Sequence, residues 1–202
     1  MTVTISRLYD NHTDAQHAVR RLEVAGVPHS DISIVANNSV GWFSTDKKVD
    51  RDGDGMDDRA EGAGIGAGVG GAAGLLAGLG LLAIPGLGPV VAAGWLAATA
   101  VGAAAGATTG GIVGALTEAG VSEADAHSYA EGVRRGGNLV SARVADADRS
   151  RLDAVLNESA VNLTDRSAAW QKAGWKSFDP ASKPYGAEEI RKDRQLYGGG
   201  LR

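Results

Sequence analysis

Residues 50–61 read "DRDGDGMDDRAE", a stretch dense in carboxylates. It satisfies every specified position of the calcium-loop spacing D-x-[DN]-x-[DN]-G-x5-E. Asp50, Asp52 and Asp54 take positions 1, 3 and 5. Met56 offers a backbone carbonyl at position 7, Asp58 acts through a water at 9, and Glu61 closes the set with two oxygens. Gly55 supplies the sharp turn at position 6. Calcium is a hard cation that needs many oxygens, and this spacing predicts it as the ligand. Asp57 at position 8 and the lack of an entering helix point to a single, unpaired loop. The alternative is a solvated Asp/Gly linker.

The other functional residue types do not converge. The histidines His12, His17, His29 and His127 show no ligand spacing, and there is no cysteine, GxSxG, HExxH or P-loop. "GAGVGG" at 66–71 matches GxGxxG, but no strand precedes it and the surrounding glycines repeat every fourth residue. The expectation is therefore a non-enzymatic protein with no small-molecule substrate. The net charge of −4 predicts no nucleic-acid partner. "MTVTISRLYD" lacks a basic region followed by an apolar core, which predicts no secretory signal.

Immediately after the acidic loop, charge vanishes: residues 62–117 contain no Asp, Glu, Lys, Arg or His. Gly62, Gly66, Gly70, Gly74 and Gly78 form one i, i+4 series. Gly94, Gly102, Gly106, Gly110 and Gly114, with Ala98, form a second. On helices such series make close-packing grooves. "PGLGP" at 85–89 is a turn, so 62–118 is predicted to be an antiparallel glycine-zipper helical hairpin. Its arms are long enough to cross a bilayer core of about 30 Å. That predicts membrane association, with the other parts on the cytoplasmic face. The alternative is a cytoplasmic homo-oligomer whose hairpins pack between subunits.

The flanks must position these features. Residues 1–36 read as strand, helix, strand, with Ala15, Ala18, Val19 and Leu22 on one helix face and Thr13–Gln16 as a capping box. Residues 37–61 are a polar linker ending in the acidic loop. Residues 119–164 begin with a Ser122-capped helix, followed by the strand "NLVSARV", a helix, and a last strand at "AVNL". The order predicts an α+β, ferredoxin-like sandwich, with helices on one face of an antiparallel sheet, split by the hairpin. Residues 165–202 form an aromatic-basic C-terminal tail, either loose or a strap that docks through Trp170, Trp175 and Phe178.

The stretches "LEVAGVPHSDISIVA", "PGLGPVVAAGW" and "GALTEAGVSEADAHSYAEGVRRGGNLVSARV" resemble bacterial general stress proteins of the heat-induced or low-temperature-induced type. The resemblance covers about residues 2–164 and implies a split α+β domain with a Gly/Ala-rich hairpin insert. It carries no catalytic residue, and neither the acidic loop nor the aromatic tail belongs to it.

Overall fold

The computed structural model describes residues 1–43, 80–84, 86–104 and 111–197. The described residues form an α+β structure around one five-stranded antiparallel sheet. Strand β1 (Thr2–Tyr9) turns directly into α1 (His12–Val24). The helix starts at the Asn11 side chain, which accepts from the Asp14 amide at 2.8 Å; the expected Thr13 box is displaced two residues. An asparagine at the N-cap satisfies the same orphan amide as a threonine would. Ala15, Ala18, Val19 and Leu22 are buried, as the 3.6-residue period requires.

Strand β2 (Ile32–Asn37) is buried along its whole length. The chain reverses between Ile84 and Gly88, with the Leu87 amide bonded to Ile84 O at 3.0 Å. The arms of this reversal, however, are strands: β3 (Gly80–Ile84) and β4 (Gly88–Gly94). The helical-hairpin expectation fails here because Val90 and Val91 face Asn37 and Ala36 across a sheet, where β-branched side chains pack well. Helix α2 (Trp95–Ala104) begins only after Gly94, and α3 (Ile112–Glu118) is separate in the chain. The described residues 88–104 and 111–118 are therefore a strand and two helices rather than one zipper arm.

Helix α4 (Glu123–Arg134) is capped by Ser122, whose hydroxyl accepts from the Asp125 amide at 3.2 Å. Strand β5 (Asn138–Ala145) follows, then α5 (Arg149–Asn157), α6 (Leu163–Lys172) and α7 (Ala187–Tyr197). "AVNL" does not become a strand. Val161 N bonds to Leu8 O at 2.8 Å on β1, but the Asn162 side chain then caps α6, leaving too few residues for a ladder.

The sheet order is β1-β5-β2-β4-β3. One face is covered by α1 and α5, through Leu22, Ile34, Val140 and Leu156. The other is covered by α2, α3, α4 and the C-terminal region, through Val35, Leu96, Leu116, Tyr129 and Trp170. The one-faced sheet expected from the element order is thus corrected to a sheet with helices on both faces. The buried β2 strand shows the consequence directly: both of its faces need apolar cover. Two tyrosines fix β1 between the layers. Tyr9 donates to Leu156 O and Tyr129 to Ser6 O, each at 2.5 Å. Burial pushes both hydroxyl pKa values up, that of Tyr129 to about 12.

Candidate functional site

The calcium-loop residues Asp50, Asp52, Asp54, Met56, Asp58 and Glu61 lie outside the described residues, as do Gly62, Gly66, Gly70, Gly74, Gly78, Gly106 and Gly110. Among the described residues there is no group of three or more His, Asp or Glu placed to hold a metal. Of the remaining zipper glycines, Gly102 lies in α2 and Gly114 in α3, on different helices. Gly94 is not helical. It ends β4 at φ +87°, and a Cβ there would meet Ile32 O at 2.2 Å. Its role is the turn from sheet to helix. Among the described residues no helix is long and apolar enough to cross a membrane.

Among the described residues, β3 is the outer strand on one side of the sheet. Its sequence, GLLAI, carries no charge. The pairing with β4 fixes which backbone groups face outward. Asn38 N donates to Pro89 O at 2.8 Å, so that carbonyl turns toward the β2 side, and proline has no N–H. Ala83 opposite Pro89 is therefore in a non-hydrogen-bonded pair. By alternation, Leu81 and Ala83 direct their N–H and C=O away from β4. Leu81 is 44% exposed. The β1 side differs: Val161 occupies part of it, and Arg7 there pairs with Asp153 at 2.7 Å.

The C-terminal residues fold back on α4 and on the β3–β4 turn. Trp170 is fully buried, and Trp175 meets it edge-on at 5.8 Å. Phe178 and Pro184 lie against Gly86 and Gly88. At the end of α4, buried Glu131 accepts from Arg134 and Arg135. Arg135 also bonds Asp193 of α7 and lies over the Trp170 ring at 4.9 Å. Burial acts to lower the Arg135 pKa, but Glu131 and Asp193 outweigh it and hold the guanidinium charged.

This fold-back completes a cleft of about 220 Å³ at the end of the sheet where β2 finishes and β5 begins. Asn37 and Asn138, 3% and 2% exposed, are buried polar residues of its lining, beside the buried Ile190. The Asn37 amide is fixed from both ends, donating to Val133 O at 2.9 Å and accepting from Ser39 N at 2.8 Å. On one wall His12 and Trp42 stack with ring centroids 3.9 Å apart. Trp42 Nε1 donates to Asn37 O at 2.7 Å, and Asn38 clamps the Phe43 backbone with two bonds. Opposite is α7, where Arg194 donates to Gly136 O at 2.9 Å. A second cleft of about 260 Å³ runs between α4 and α6, lined by His127, Ser128, Ser167 and Trp175 among others.

The histidines do not come together: His12 stacks on Trp42, His29 meets Glu23 at 2.9 Å, and His127 meets Glu123 at 4.0 Å. Sequence reasoning missed the first cleft because its residues are spread from position 11 to 194, with no shared spacing. Comparison of the chain with protein-family models, with curated proteins and with solved structures finds no match in any of the three.

Proposed function

We propose that this chain is a non-enzymatic assembly protein of the stress-response type, which self-associates through the open edge of β3. The uncharged β3 edge carries this reading. An exposed edge strand is a template for pairing with another chain, and proteins that avoid this place charge, proline or a covering loop there. GLLAI has no charged residue, and among the described residues no strand pairs with the outward backbone groups of Leu81 and Ala83, on a two-fold-compatible antiparallel edge. A second copy supplies both the matching hydrogen bonds and apolar cover for Leu81.

The same reading takes the core as ferredoxin-like. Its support is the sub-order β1-β5-β2, with α1 and α5 on one face and Val161 bonded where a fourth strand would join β1. The glycine-rich insert then contributes the β3–β4 hairpin to the assembling edge. A homo-oligomer is favoured over a bilayer hairpin because β4 lies inside the sheet, between β2 and β3.

Sedimentation velocity of the full chain tests it. The wild type should form a concentration-dependent dimer. Ala83→Pro, which removes an outward N–H, and Leu81→Lys, which charges the edge, should weaken association about tenfold or more, equivalent to ~1.4 kcal/mol. A wild type that stays monomeric overturns the proposal. Retention in carbonate-washed membranes would favour bilayer insertion instead.

A further inference from the structure

The His12–Trp42–Arg194 cleft has a chemistry that the assembly reading does not use. Among the described residues no carboxylate lines it. Among its described lining residues Arg194 is the only arginine or lysine, and its guanidinium donates to a backbone carbonyl, Gly136 O. The nearby acids are engaged elsewhere. Asp10 makes a two-pronged pair with Arg166 at 3.0 Å, Asp14 accepts from Asn11, and Asp193 binds Arg135. An arginine fork without an acidic partner is suited to a carboxylate, which it can take with two parallel bonds.

The second feature is the stacked wall. Trp42 is 38% exposed, so part of the indole remains open to solvent while the rest covers His12. Burial lowers the His12 pKa, so the imidazole is neutral near pH 7 and presents a ring rather than a charge. A flat aromatic wall beside a cation favours a planar ligand that stacks on one and pairs with the other. The volume of about 220 Å³ lies below the ~300 Å³ at which drug-sized pockets begin, which limits the ligand to about one ring.

We propose that this cleft is a binding site for a small planar organic carboxylate, with Arg194 taking the carboxylate and the Trp42–His12 stack taking the ring. Asn37 and Asn138 supply a neutral polar floor. Because Arg194 belongs to α7, the C-terminal region is part of the site.

Proton–nitrogen correlation spectra of the full chain test this, with benzoate, cyclohexanecarboxylate and inorganic phosphate as probes. Benzoate should shift the Trp42 indole N–H and the Gly136 and Asn138 amides saturably. Cyclohexanecarboxylate, with the same charge and a puckered ring, should bind at least about threefold more weakly. Phosphate should be weaker still. Arg194→Gln should reduce benzoate affinity about tenfold and Arg194→Lys by less, as loss and partial retention of a charged partner require. An undisturbed Trp42 resonance in the free variants shows that the cleft is intact. If benzoate produces no saturable shift at millimolar concentration, the proposal fails. It fails equally if Arg194→Gln leaves the affinity unchanged, or if phosphate binds as tightly as benzoate.

Discussion

Arg135 Nη1 donates to Asp193 Oδ1 at 2.6 Å, tying the C-terminal helix α7 to the end of α4. Both side chains are largely buried, 12% and 8% exposed. Removing one partner of a buried ion pair leaves the other charge without compensation, at a cost of ~3–5 kcal/mol. Here Glu131 remains bonded to Arg135 at 2.5 Å, which softens the loss. Asp193→Ala is therefore expected to cost about 3 kcal/mol, measured by urea unfolding. Trypsin cleavage at Lys183 and Arg191 should accelerate in parallel. Wild-type stability in the variant would show that the pair does not hold the helix.

Gly94 and Gly26 separate steric from conformational cost. Both have positive φ, +87° and +93°. A Cβ at Gly26 meets nothing within 4 Å, whereas at Gly94 it falls 2.2 Å from Ile32 O, a backbone atom that cannot move cheaply. Gly26→Ala should cost only the left-handed penalty of about 1–2 kcal/mol. Gly94→Ala should cost that plus a distorted β2–β4 ladder, at least about 3 kcal/mol in all. Equal costs in thermal or urea melts would contradict the junction role assigned to Gly94.

The same residue shows where the sequence was legible. Gly94, Gly102 and Gly114 do fall on one i, i+4 series in the sequence, yet the three occupy a strand end and two helices. Local period could not reveal that Val90 and Val91 find a partner in β2, some fifty positions earlier in the chain. The flanks were more readable because their signals are local. The Leu22 face of α1, the Ser122 cap of α4 and the Val140–Val144 alternation are each set within one element. "AVNL" failed as a strand for a related reason: the Asn162 cap, itself a local signal, competes with the ladder and wins. The cleft could not be read at all, since Arg194 and Trp42 meet only through the fold.

The acidic loop at 50–61 yields its own expectation from sequence. Six carboxylates, five of them at calcium-ligand positions, with no second loop to pair with, predict weak binding, about 10⁻⁴–10⁻³ M. Titration calorimetry should give calcium heat in the wild type and none in Asp50→Ala/Glu61→Gln. Identical heats in the two proteins would leave the stretch as a solvated linker.

His12 gives the fold a pH dependence of defined sign. Burial against Trp42 lowers its pKa below the usual 6.5. As pH falls through about 6.5, the unfolded chain takes up a proton that the folded chain resists. The unfolded state then binds more protons, so stability decreases as pH falls. The loss stops once pH passes below the folded pKa, where both states are protonated. Unfolding free energies measured by urea between about pH 7.5 and 5 should therefore decline in the wild type. His12→Gln should remove this increment while leaving the part due to other groups. Taking the difference between the two proteins cancels the acids around the ring, among them Asp10 and Asp14, and the neighbouring Arg194. Trp42 emission offers a local readout, because an imidazolium stacked on indole quenches it and glutamine does not. The opposite slope, with stability rising as pH falls, would mean that the protonated ring is held on the indole face as a cation. The stack would then be a charge-binding contact rather than a neutral one.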